Sequence, residues 1–159
     1  MNQRRSEQEQ EIFQVQIHSE VGAGRVVPFT PRNQTAPVAL PVGTDVQAQE
    51  IGLMTVRGPS LNNLGIYDGD YLICTRKFTK RDITPETVCI VFIGSTGELQ
   101  AKKVIEQYGK ITLRSSGGDI KDAFYERDDI EVKSIVIGYQ RMRDEYGRFR
   151  KDGDEDIPF

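Results

Sequence analysis

The feature that most constrains this chain is a succession of short apolar runs broken by glycine-rich turns, with almost no helical periodicity between them. Runs of strand character fall at 53–57, 71–75, 87–93, 98–105, 110–114 and 134–139. Gly94-Ser95-Thr96-Gly97 and Gln107-Tyr108-Gly109 have the composition of hairpin connections. Asp68-Gly69 tolerates the backbone angles of a tight turn. Leu61-Asn62-Asn63-Leu64 has room for one helical turn before Gly65 ends it. A chain punctuated in this way buries its apolar faces by stacking sheets or by closing a sheet on itself. The expected fold class is therefore all-β, a β-rich barrel or sandwich.

The segments before this core read differently. Residues 1–10 are almost wholly polar and bury too little surface to fold alone, so they read as a flexible arm or a frayed helix. Phe13, Val15 and Ile17 alternate with Gln14 and Gln16, which predicts a short half-buried strand. Val21-Gly22-Ala23-Gly24-Arg25-Val26-Val27 is small at its centre. Pro28, Pro31, Pro37, Pro41 and Gly43 make residues 28–43 extended or looped. The expected organisation is an N-terminal arm over 1–27, one folded domain over 28–142 and a charged tail over 143–159. That tail ends in Asp154-Glu155-Asp156-Ile157-Pro158-Phe159 and reads either as solvated chain or as a short docking peptide anchored by Ile157 and Phe159.

Composition narrows the function classes. With 159 residues the chain fits one domain plus tails. A formal net charge of -3 argues against a broad nucleic-acid footprint, which needs clustered cations to displace counterions, so direct sequence-specific DNA binding is not expected. Cys74 and Cys89 each sit in an apolar run and read as buried free thiols. A disulfide or a metal site is the weaker alternative, because His18 is the only histidine available to complete a metal site. No metal or cofactor is expected. No run approaches the roughly 20 apolar residues of a membrane span, and no apolar segment follows Arg4-Arg5 to make a signal peptide. The expected compartment is the cytoplasm.

Ser60 follows Gly58-Pro59 at a strand-to-helix transition. A serine there is either a helix cap or a nucleophile with nearby backbone N–H groups facing a developing oxyanion. A nucleophilic serine needs a base, and His18, in a polar flank, is a poor candidate. A lysine serves only if desolvation lowers its pKa toward neutrality. Two adjacent lysines, Lys102 and Lys103, occupy one predicted strand. Lys103 shares its face with Leu99, Ala101 and Ile105, so alternation alone selects Lys103 as the buried one. In an antiparallel sheet either face can be packed, and both lysines could equally be solvated.

Two segments of this chain resemble those of a known family. Val56-Arg57-Gly58-Pro59-Ser60-Leu61 and Gly65-Ile66-Tyr67-Asp68-Gly69-Asp70-Tyr71-Leu72 resemble the nucleophile segment of the LexA/UmuD-type self-cleaving peptidases. Glu98-Leu99-Gln100-Ala101-Lys102-Lys103-Val104 resembles that family's lysine strand. The resemblance runs from about Val15 to Met142 and includes Ile135-Val136-Ile137-Gly138 as the closing strand. It implies a LexA/signal-peptidase-like β domain with a flexible N-terminal arm. It also implies that Ser60 is the nucleophile, that Lys102 rather than Lys103 is the base, and that Ala23-Gly24 is the bond cut. Ser60 would also lend its backbone N–H to the oxyanion. Leu61 stands where the family has Met, a swap of similar volume. Pro59 departs further, because the family's residue at that position is thought to donate an N–H that proline lacks.

The resemblance further implies a homodimer, stimulation by a RecA filament on single-stranded DNA, and service to an error-prone DNA polymerase in the DNA-damage response. About 22 residues precede Ala23, too few for a helix-turn-helix domain, which favours the UmuD arrangement over a repressor. The alternative is a catalytically impaired, dimerising interaction module or a truncated phage-type repressor. A membrane-bound signal peptidase with the same chemistry is disfavoured, since the chain has no membrane segment.

Overall fold

The computed structural model describes residues 10–23, 34–116 and 121–141. Nine strands follow in order: β1 (Gln10–Gly22), β2 (Gln34–Pro41), β3 (Ile51–Arg57), β4 (Tyr71–Thr75), β5 (Val88–Ile93), β6 (Glu98–Gln107), β7 (Lys110–Arg114), β8 (Ala123–Glu126) and β9 (Ile130–Gln140). The only helices among the described residues are single 3-10 turns, and none is long and apolar enough to cross a membrane. The all-β expectation is met.

The strands lie in the order β2-β1-β3-β4-β9-β5-β6-β7-β8, and β1 also pairs with β6. That extra pairing closes β1, β3, β4, β9, β5 and β6 into a ring, with β2 on one flank and β7 and β8 on the other. The fold is a small barrel with outlying hairpins. Most neighbours are antiparallel, as short turns demand, but β1 runs parallel to both β3 and β6. Parallel pairing means that β1 enters the barrel from outside the meander and lies between the strand that precedes Ser60 and the strand that carries Lys102.

Three apolar clusters fill the structure. Val21, Ala23, Val56, Leu61, Leu72, Ile90, Leu99 and Ala101 belong to the first, which underlies the Ser60 turn. Val15, Ile17, Val38, Leu40 and Leu53 pack beneath the β1–β2 hairpin. Cys89, Val91, Ile93, Ile111 and Leu113 fill the side toward β7. Both cysteines are free and buried.

Several boundaries differ from the sequence expectation. β1 is far longer than the alternating Phe13–Ile17 stretch, because Val21 and Ala23 continue its inward face into the first cluster. Part of the proline-rich 28–43 segment is a strand, β2, which tolerates Pro37 and Pro41 because it lies at the edge of the sheet. β8, whose side chains alternate between half-buried and exposed, covers the other edge. Residues 1–9, Gly24 and the charged tail from Met142 lie outside the described residues.

Candidate active site

The site is built where β3 ends. Gly58 takes a left-handed backbone with φ 113°, which turns the chain sharply out of the strand and favours glycine there. Pro59 is exposed at the apex, and Ser60 drops back into the interior at 5% exposure. Leu61, wholly buried in the first cluster, anchors the turn from beneath. The 3-10 turn Asn62–Leu64 follows and ends at Gly65 in the left-handed region, φ 80°. Ser60 therefore precedes a single turn rather than a regular helix.

The acidic motif after the turn is structural support that the sequence did not reveal as such. Asp68 Oδ1 accepts the Gly58 N–H at 2.8 Å, which holds the Ser60 turn from the side. Asp70, 1% exposed, accepts the Tyr67 N–H at 2.9 Å through Oδ2 and lies 3.5 Å from Arg141 Nε. The Arg141 guanidinium also donates to the Gly65 carbonyl at 2.5 Å and stacks 4.9 Å from the Tyr67 ring centroid. The main chain locks the motif to β3 as well: the Val56 N–H donates to the Asp70 carbonyl, and the Gly69 N–H to the Val56 carbonyl. The signal was legible only as an Asp-Gly turn, because Gly58 and Arg141, which the two aspartates meet, lie outside the motif.

The end of β1 reaches this turn. Gly22 pairs with Arg57 on β3 and with Gln100 on β6. The Ala23 N–H donates to the Arg57 carbonyl at 2.7 Å, and the Ser60 N–H donates to the Ala23 carbonyl oxygen at 2.9 Å. Ala23 is fully buried against the first cluster, where any larger side chain at this point would have to displace packed neighbours. Ser60 Oγ is buried and has no hydrogen-bond partner among the described residues. The buried hydroxyls of Thr55 and Ser116 are likewise without a partner among the described residues.

Lys102 lies two residues along β6 from Gln100, the residue opposite Gly22, so strand register brings it to the same corner of the barrel. It is 8% exposed, and desolvation lowers its pKa from the ordinary 10.5. Lys103 instead reaches Glu86, with Nζ 3.2 Å from Oε2. The alternation argument for Lys103 is thus corrected. β6 is packed on both faces at this level: Leu99 and Ala101 face the first cluster, while Lys102 is opposite Cys89, a member of the third. A strand covered on both sides cannot be read by alternation. The two cysteines take no part in such chemistry as thiolates, since burial raises the Cys74 pKa to about 12 and that of Cys89 to about 11.

The structure thus brings Ser60 and Ala23 into direct hydrogen-bond contact and sets Lys102 on β6, the strand that pairs with β1 at Gly22. A β-barrel with a buried serine after a strand end, its own main chain seated on that serine's N–H, and a buried lysine on the strand paired with that segment has the parts of a serine–lysine peptidase fold. The chain belongs to the Peptidase S24-like family, whose model matches residues 16–137. That family is one of serine peptidases with a Ser/Lys dyad. A LexA repressor from Novosphingobium aromaticivorans is 23% identical over 131 residues, covering 82% of this chain and 53% of that protein. The chain therefore spans about half the length of the curated relative it matches.

Proposed function

We propose that this chain is a self-cleaving serine peptidase that cuts its own Ala23–Gly24 bond with Ser60 as nucleophile and Lys102 as general base. The observation that carries this reading is the 2.9 Å hydrogen bond from the Ser60 N–H to the Ala23 carbonyl oxygen. A peptide carbonyl held by the N–H of a buried serine is polarised where negative charge would develop on attack. Ser60 Oγ adds to the Ala23 carbonyl carbon as its proton passes to the neutral Lys102 amine. The tetrahedral oxyanion collapses, the bond to the Gly24 nitrogen breaks, and Lys102 returns the proton to the leaving amine. Water, deprotonated by Lys102, then hydrolyses the acyl-enzyme. Because substrate and nucleophile share one chain, proximity replaces substrate affinity.

The finer reading follows the LexA/UmuD resemblance: a homodimer in the DNA-damage response, stimulated by a RecA filament on single-stranded DNA and serving an error-prone DNA polymerase. Pro59 favours a second reading, a dimerising module with impaired chemistry, because the turn offers one N–H where two are expected. Incubation of the purified chain at alkaline pH, and separately with activated RecA, distinguishes the two. The peptidase reading expects a fragment beginning at Gly24 that is absent from Ser60→Ala and Lys102→Ala. No such fragment under either condition overturns it in favour of the impaired module.

A further inference from the structure

The seating of Ala23 on Ser60 depends on the register of β1, and parallel strands can slip by two residues without turning their inward face outward. Such a slip would present a different carbonyl to the Ser60 N–H. The packing of Ala23 in the first cluster opposes such a slip, and a polar tie between the two strands would oppose it further. Among the described residues, one ion pair ties β1 to β3: Glu20 Oε2 lies 2.5 Å from Arg57 Nε. The same guanidinium is 3.5 Å from Asp68 Oδ2 through Nη1. Asp68 in turn holds the Gly58 N–H at 2.8 Å, two residues before Ser60. Glu20, Arg57, Asp68 and the Gly58 amide thus form a continuous charged connection between the strand that delivers Ala23 and the turn that carries Ser60. Glu20, Arg57 and Asp68 are all half-buried, so salt screens the connection only in part.

We propose that Glu20 is a positioning residue, which acts through Arg57 and Asp68 to hold the cleavage strand in the register that places the Ala23 carbonyl on the Ser60 N–H. The inference rests on the self-cleavage reading for its consequence, but its structural content can be measured without cleavage. It concerns neither the nucleophile nor the base. Loss of Glu20 lowers the fraction of molecules correctly docked and leaves the proton transfer itself untouched.

The test uses the full chain with Glu20→Gln, Arg57→Gln and the charge-preserving Glu20→Asp. The self-cleavage rate falls roughly 2- to 5-fold in the two neutral variants, the scale of a partly exposed ion pair acting on a docking equilibrium. Glu20→Asp restores most of it. The pH at which the rate profile bends stays where it is in the parent, whereas damage to the base would move it. Raising salt from about 0.05 M to about 1 M slows the parent more than Glu20→Gln. In a Ser60→Ala background, which cannot cleave, amide exchange at Ala23 and at position 60 quickens several-fold on adding Glu20→Gln, while the β4 amides keep their protection. Unchanged exchange at both amides overturns the proposal, as does a rate equal to the parent's in Glu20→Gln. If the parent yields no Gly24 fragment but the exchange effect is present, the self-cleavage reading fails and the docking role of Glu20 stands.

Discussion

The backbone N–H of Ser60 donates to the carbonyl oxygen of Ala23 across 2.9 Å, joining residues 37 positions apart in the chain. The contact exists because β1 runs parallel between β3 and β6 and delivers its C-terminal end to the turn after β3. An antiparallel β1 would have brought its opposite end there. The bond accounts for the Ser60 amide, while the Ser60 hydroxyl keeps no partner among the described residues.

Replacing Pro59 tests how many donors this carbonyl can use. Proline has no N–H, and the Gly58 N–H is already committed to Asp68. Pro59→Ala returns an N–H beside Ser60. One oxyanion donor is worth about a hundred- to thousandfold in rate where it has been removed from another serine protease. Self-cleavage in Pro59→Ala is expected to rise by at least roughly tenfold, followed as appearance of the Gly24 fragment. An unchanged rate would mean that position 59 does not face the carbonyl oxygen.

In the proposed mechanism the pH dependence of cleavage reports Lys102. Only the neutral amine accepts the Ser60 proton, so below its pKa the rate rises about tenfold per pH unit and above it levels off. Desolvation lowers that pKa from 10.5, so the plateau begins below this value. A rate still climbing log-linearly through pH 10.5 would remove Lys102 from the role of base.

The same burial affects stability. The folded state disfavours protonated Lys102, so between its lowered pKa and 10.5 the unfolded chain binds more protons than the folded one. Stability therefore rises with pH across that window, and the desolvation cost is fully present below it. Lys102→Met removes the charge and keeps the length. Its melting temperature at neutral pH should exceed the parent's. The advantage should shrink as the pH is raised toward 10.5. Thermal melts at several pH values check both, and an advantage independent of pH would point to packing instead.

Arg141 offers a test of the fold away from the reacting atoms. Its guanidinium lies near buried Asp70, bonds the Gly65 carbonyl and stacks on Tyr67. Arg141→Met keeps the stem but removes the guanidinium beside Asp70. The expected loss is about 2–3 kcal/mol in urea unfolding, the scale for stranding one member of a buried charge pair. A loss under about 0.5 kcal/mol, the ordinary range for surface substitutions, would show that hydrogen bonds to Asp70 suffice.

Much of the barrel was legible beforehand. The strands at Tyr71–Thr75 and Lys110–Arg114 coincide with the apolar runs, because turns on both sides bound them sharply. The Asn62–Leu64 turn and its glycine stop were legible for the same reason. β2 was hidden by its prolines, which are compatible with a strand only at an edge, and edge position is not a local property. β8, with AFYE half-buried at best, has too little apolar contrast to announce itself.

The sequence by itself determined the all-β class, the run of turns, and the small residues at Gly22-Ala23 that allow close approach of the main chain. It also contained the Ser60 and Lys102 segments whose resemblance singled out the pair. These are local properties of composition, spacing and backbone freedom. The tertiary structure alone decided that Lys102 is the more buried of two adjacent lysines, because that depends on β6 being packed on both faces. It alone decided that Ala23 meets Ser60, because a parallel register between distant strands is set by the whole barrel and not by either segment.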